Sequence, residues 1–416
     1  MEALGAVAHR YAGSPGEREM LAQVKSRLPH GVVAKSEGFV GFTSPGLVVG
    51  LHAAALLGAG ALGLAAPVAA VAVAAVALGS LWAEATGRFS LVRWMLPKQA
   101  SYNLVVRQAS DRPLGTVVLA VPLDIPRWRL EHVRWPRRPL KLVVLAGAVL
   151  IALLALRIPE LSWNYQLTGA YVAAVAVLAA TVAVGWVAHR RTGATQEDAS
   201  SSAVQIELIR RFMNTPVAGV DLWFAFTGCG HAYQNGMHAF LAMRGARMTS
   251  PILVLALDEP ARAPLGAVVS EGPLLAHPHR PTGPALVERL RWAGLKIPSI
   301  DRPGVTDARA ALLWGYRALA LAGGSGRPSP EQAAQAADVA EALVRLYAHD
   351  VARVPDFAPM VGELAVDRIP GAEPSEQRAL GRLLGRLRAR VARRPPGGDG
   401  DGELTAPPAD VRRGEP

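Results

Sequence analysis

Histidine supplies most of the chemistry that this sequence can offer. The chain has 10 histidines and one cysteine, Cys229, so neither an intrachain disulfide nor a zinc cage of thiolates is available. His231 is the best placed. It follows an apolar run, Leu222 to Phe226, and the turn Thr227-Gly228-Cys229-Gly230; Met237, Phe240 and Leu241 then recur at helical spacing. A short apolar run closed by a turn suits a strand buried on both faces. Asp221 to Leu241 thus reads strand, turn, helix. That puts His231 at the carboxyl end of a strand, where open α/β sheets bind ligands. Asp258 closes a second such run, Ile252 to Leu257.

Other candidates are weaker. His277-Pro278-His279 can bind metal, but no third partner is near in sequence, and an exposed polar loop is the expectation. His238 faces the start of a helix and has no role assigned. Cys229 is either a nucleophile beside the site or a small buried turn residue. No histidine with an Asn or Asp partner can be assigned to it, which favours the turn residue. His52 is the one ionisable group in the charge-free run Gly46 to Trp82. It reads as a neutral histidine near a membrane face or inside a bundle; a functional intramembrane histidine is the alternative.

These residues need a frame, and composition shows that part of it is not water-soluble. Of the 416 residues 51% are hydrophobic and only 19% charged, which points to membrane segments. Gly46 to Trp82 is long enough for two spans, with Ala65-Ala66-Pro67 as their turn. Leu142 to Leu156 and Leu167 to Ala188 make a second pair. The α/β pattern surrounds both hairpins. The expected division is 1–45, start of an α/β domain; 46–86, first hairpin; 87–141, the domain continued; 142–188, second hairpin; 189–355, the rest of the domain; 356–394, a basic helical region; 395–416, a Gly-, Pro- and Asp-rich tail expected to be disordered.

Within the domain, Glu17 to Leu28, Ala203 to Phe212, Pro284 to Ala293 and Pro330 to His349 read as helices. The last opens on a capping box, Ser329-Pro330-Glu331-Gln332. Val32 to Phe39, Ser101 to Gln108, Thr116 to Val121, Ala267 to Val269 and Ala318 to Leu321 read as further strands. Ser375 to Arg394 reads as an amphipathic helix, lying on an anionic membrane or packed on the domain.

The formal net charge of +11 suits a nucleic-acid binder, but the cations cluster beside the apolar runs. Arg88, Arg93, Lys98, Arg134, Arg137, Arg138, Lys141, Arg190 and Arg191 flank the hairpins on the domain side; Arg157 stands almost alone at a tip. Arg127 to Lys141, with Trp128 and Trp135, therefore reads as an interface anchor rather than a single-strand binding segment. The positive-inside rule puts the domain and both termini in the cytoplasm of a multi-pass cell-membrane protein, with no nucleic-acid partner. A lone cysteine agrees with a reducing compartment. Met1 to Lys35 is mixed and polar and does not read as a signal peptide.

Several stretches together resemble the zinc aminopeptidases of metallopeptidase family twenty-eight. His9-Arg10-Tyr11-Ala12-Gly13-Ser14-Pro15-Gly16-Glu17 is similar to that family's opening; Ser101-Tyr102-Asn103 and Val117 to Asp124 are similar to its next two strands. The segment around His231 is similar to its strand, Gly-x-Glu-Glu turn and helix. The resemblance implies a mixed sheet flanked by helices, interrupted here by the two hairpins. It also implies a two-zinc hydrolase with ligands at five stations. In this chain Pro122 stands for the first ligand, a histidine, and Asp124 keeps that ligand's supporting position. Glu197 is the match for the bridging carboxylate. Gly230 replaces the general base and His231 the next ligand. Asp258 is kept. Ala308 stands for the last histidine.

Two ligand positions are blank and the base is missing. Loss of a general base alone costs a factor of about 100 to 10,000 in rate, so two zinc ions are not expected. The resemblance then implies a membrane-bound pseudo-peptidase that binds a peptide or protein partner in the old cleft. The alternative is a hydrolase with one metal, zinc, on Glu197, His231 and Asp258, since three protein ligands suffice for an open site. A transporter or channel subunit is a third reading, disfavoured by the near absence of charge within the spans.

Overall fold

The computed structural model describes residues 2–7, 9–87, 91–126, 139–158, 165–190, 199–272, 276–279, 282–292, 294–295, 297–302 and 304–353. Glu197, most of the basic segment Arg127 to Lys141, the helix expected over Ser375 to Arg394 and the tail lie outside the described residues.

The chain opens with α1 (Glu2–Gly5) and α2 (Pro15–Ser26), the latter capped by the Ser14 hydroxyl, which accepts the Glu17 amide at 3.2 Å. Strand β1 (Ala34–Gly41) leads into the apolar helices α3 (Pro45–Leu62) and α4 (Pro67–Thr86); α5 (Leu91–Met95) returns the chain to β2 (Gln99–Gln108) and β3 (Gly115–Pro122). A second apolar pair follows, α6 (Pro139–Arg157) and α7 (Tyr165–Arg190), then α8 (Ser200–Asn214), β4 (Val220–Thr227), α9 (Asn235–Arg244) and β5 (Ile252–Asp258). The domain closes with β6 (Gly266–Glu271), β7 (His277–Pro278), α10 (Thr282–Trp292), β8 (Ser299–Arg302), α11 (Asp307–Leu313), β9 (Arg317–Ala322) and α12 (Pro330–Arg353).

The mixed sheet expected from the sequence is present. Its order is β1-β2-β4-β3-β5-β9-β6-β7, with β8 paired to β6. The centre, β4-β3-β5-β9, is parallel. Toward the carboxyl ends of its strands its two faces differ in residue size. Val117, Leu119, Val121, Leu222, Phe224, Phe226, Leu253, Leu255 and Leu257 point to one side, into the larger core with α2, α8, α10 and α12. The other side carries Ala120, Ala225, Ala256, Ala318, Ala320 and Ala322, and meets Ala308, Ala310 and Ala311 of α11. Alternation along each strand produces the two faces. The small side chains let α11 pack close to the carboxyl ends of the strands.

The four apolar helices share one core, built on Leu56, Leu81, Leu150, Leu154 and Leu178, so the two hairpins pack together. Gly147 permits the close approach: a β-carbon there would lie 3.1 Å from Leu56 and 3.2 Å from Leu78. His52 is inside this bundle, its Nδ1 2.8 Å from the Val48 carbonyl and its Nε2 2.9 Å from the Ser80 hydroxyl. The outside is apolar too, with Leu51, Leu62, Val73, Val76, Leu145 and Val172 exposed. All four helices are long and apolar enough to cross a membrane. Hydrocarbon matches such a surface; water does not.

Candidate functional site

Register brings the site together at the carboxyl edge of the parallel strands. Pro122, the last residue of β3, pairs with Thr227, the last of β4. Asp258 ends β5 next to them. After β4 the chain turns through Cys229 at φ 50°, and again through Tyr233 and Gln234 at φ 62° and 51°, left-handed conformations that L-residues adopt only when surroundings impose them. The surroundings are acceptors and donors. Glu17 accepts the Cys229 amide at 2.6 Å, the Ser101 hydroxyl at 2.8 Å and the Gly13 amide at 2.9 Å. Asn103 accepts the Gly228 amide and donates to the Gly236 carbonyl. Asp124 accepts the Gly230 amide at 2.6 Å and the His231 amide at 3.1 Å. Asp124, expected to support a ligand at 122, instead holds the backbone of the turn.

That turn presents His231 to two carboxylates, Asp124 at 3.6 Å from Nδ1 and Asp258 at 3.9 Å from Nε2, both longer than a hydrogen bond. Burial pulls the imidazole pKa down, but the two carboxylates outweigh burial and the net shift is upward. Asp258 is buried, and its Oδ2 is taken by Arg302 at 2.6 Å. Asp307 opens α11 beneath them and accepts the Thr227 hydroxyl at 2.7 Å. Burial, with Asp124 and Asp258 nearby, pushes its carboxyl up to about 7 against that hydrogen bond.

The space enclosed by Pro122, Gly230, His231, Asp258, Thr306 and Asp307 is about 10 Å³, roughly the room that one water needs. Three buried atoms of its lining residues, His231 Nδ1, Asp258 Oδ1 and Asp307 Oδ1, have no hydrogen-bond partner among the described residues. Pro122 and Gly230 fill the wall between them: a β-carbon on Gly230 would sit 2.7 Å from that of Pro122 and 3.1 Å from Asp124 Oδ1. Ala308 does not line the space. It is buried in the small-residue core, and Asp307 beside it faces the site instead.

His231, Asp258 and Asp124 are thus brought together, and Glu197 is outside the described residues. Sequence reasoning missed Arg302 and Asp307. Nothing marks Arg302 in Ser299 to Arg302, a strand of four residues on the far side of the sheet's edge. Asp307 was visible only as the neighbour of Ala308. Other candidates separate from the site. Cys229 is fully buried, and burial next to Glu17 and Asp124 pushes its thiol up, away from nucleophilic use. His238 accepts the Trp314 indole N–H at 3.0 Å, and burial lowers its pKa to about 4.

The expectation of an exposed loop at His277-Pro278-His279 is corrected. His277 and Pro278 pair with β6, and His279 is buried against Glu271 at 3.1 Å. Glu271 also accepts the Thr306 amide at 2.7 Å. A buried carboxylate needs such partners, and it drew the histidine inward.

A metal pair does not fit this donor set. Asp258 Oδ2 is taken by a guanidinium and Asp124 by two amides, and Pro122 and Gly230 offer no side-chain donor. Among the described residues no three His, Cys, Asp or Glu side chains are arranged to hold a metal ion.

No family model and no curated protein sequence matches this chain. Solved structures similar to it include BSAP, a zinc aminopeptidase from Bacillus subtilis (12% identity, 60% of this chain and 50% of that one, TM-score 0.35). Others are a glutaminyl cyclase from an Acidobacteriales bacterium (13% identity, 84% and 92%, TM-score 0.45) and an aminopeptidase from Aneurinibacillus sp. strain AM-1 (13% identity, 82% and 90%, TM-score 0.44). The chain spans half the length of the Bacillus subtilis protein. Likenesses this loose say nothing about activity.

Proposed function

We propose that this chain is a membrane-bound, peptidase-like protein whose cleft does no hydrolysis and serves to bind a peptide or protein partner. The observation that carries this reading is the Arg302–Asp258 pair. A fixed guanidinium neutralises Asp258, the one station residue kept unchanged, in the place where a hydrolase of this kind needs a cation it can load and a water it can activate. Four apolar helices hold the domain at the membrane, with the arginine-rich side cytoplasmic.

The test is direct. The purified full chain is expected to carry far less than one zinc per molecule. It is expected to show no chelator-sensitive hydrolysis of aminoacyl substrates and no cyclisation of N-terminal glutamine. Stoichiometric zinc that is lost in Asp258→Ala, with activity lost alongside, overturns the proposal in favour of a single-metal hydrolase. The three unpartnered atoms favour that second reading to the extent that they suit a small polar occupant. Protease protection of the domain in sealed inside-out vesicles would overturn the orientation.

A further inference from the structure

The base of the apolar bundle is tied to the α/β domain at one corner. Helix α4 ends at Thr86 and is capped by Gly87 at φ 73°. The Thr86 carbonyl accepts Arg309 of α11 at 3.0 Å. Gly87 meets Leu313, whose Cδ1 would be 2.8 Å from a β-carbon at 87. The last turn of α11 is therefore level with the end of α4. One turn earlier on α4, Trp82 is 42% exposed; at the end of α11, Leu313 and Trp314 are 40% and 45% exposed. The Trp314 indole N–H is satisfied by His238 at 3.0 Å, so its polar edge is turned to protein. Arg93 lies alongside, paired with Glu84 at 2.7 Å and stacked 4.2 Å over the Tyr233 ring.

We infer that Leu313 and Trp314 lie in the interfacial layer of the bilayer, so that the domain is seated on lipid by its own side chains as well as held by the four helices. The occupant is lipid because this corner continues the apolar outside of α4, where Val68 and Trp82 are exposed on one side of the helix. Amphipathic aromatic rings with cations beside them suit headgroup depth. The inference rests on the membrane reading above. Its consequence concerns the cleft. Helix α11 has 7 residues, about 10 Å at 1.5 Å each, and its other end is Asp307. The site thus lies within about one helix length of the bilayer surface, in reach of a partner's chain where it leaves the membrane.

Nitroxide labels test this in the full chain reconstituted in phosphatidylcholine–phosphatidylglycerol nanodiscs, in a Cys229→Ala background. Leu313→Cys is compared with Val172→Cys on the outside of α7 and with Val33→Cys. Val33 is 85% exposed and precedes β1, a strand of eight residues or about 26 Å, at the end away from α3. The ratio of oxygen to nickel-chelate accessibility at 313 is expected to be several-fold above that at 33 and closer to that at 172. Equality of 313 and 33, with 172 high, overturns the inference and leaves the membrane reading standing. A low ratio at 172 overturns both. Independently of labelling, Trp314→Phe is expected to reduce the fraction of tryptophan emission quenched by brominated lipid; an unchanged fraction overturns the inference.

Discussion

The apolar bundle and the cleft are both buried, yet they satisfy their polar groups in opposite ways. In the bundle His52 finds a carbonyl four residues back and a hydroxyl on the adjoining helix of its own hairpin. Thr181 likewise bonds the Val177 carbonyl. In the cleft the partners come mostly from remote segments: Glu17 holds the amide of Cys229, Asp124 that of Gly230, and Arg302 reaches Asp258 from another strand. The buried histidine of the bundle is thus satisfied within one hairpin. The cleft is one interdependent polar network, and such networks are costly when partly broken.

That contrast is open to breaking. Arg302→Met leaves Asp258 charged and unpaired, and should lower stability by on the order of 3 kcal/mol. Thermal unfolding in detergent reads it, and Asp258→Asn added to Arg302→Met should restore part of the loss. If Arg302→Met is neutral, the pair is not the keystone of the site.

The pH dependence comes next. Burial raises Glu17 from 4.5 to about 7, with Asp124 adding to the effect, and Asp307 rises from 3.8 to about 7. Between those limits the folded chain holds protons that the unfolded chain has released. The stability these two groups contribute is therefore full below about pH 4, falls as pH rises to about 7, and is gone above; His238, lowered to about 4, offsets part of the fall. Melting should occur several degrees lower at pH 8 than at pH 5, and Glu17→Gln should flatten the curve. A melting temperature that rises over this range contradicts the reading of both groups.

Gly230→Ala should cost about 1–3 kcal/mol, because its methyl meets Pro122 and Asp124 in a wall with no slack. The smallest effect belongs to the bundle: His52→Leu should change stability by less than about 1 kcal/mol, as expected for a single hydrogen bond among apolar helices. A loss as large as that of Arg302→Met would erase the distinction between the two regions.

Much of the frame was legible. Uncharged runs marked the four helices, and short apolar runs closed by turns marked β3, β4, β5 and β9. Asp258 and His231 were legible as strand-end residues because a strand and its turn are adjacent in sequence. Arg302 was not, because it sits in a strand too short to show alternation, and a surface strand pair is as ordinary a use for an arginine as an ion pair. His279 was misplaced for the same reason: only the fold brings Glu271 against it.

The order of elements, the greasy hairpins and the lack of a side-chain donor at Pro122 and Gly230 are properties of the sequence itself, since each depends on residue type and near neighbours. That Arg302 covers Asp258, that Asp307 rather than Ala308 faces the site, and that both hairpins share one core were decided by tertiary structure. Each turns on which distant surfaces meet, and packing and desolvation settle that only once the whole chain has folded.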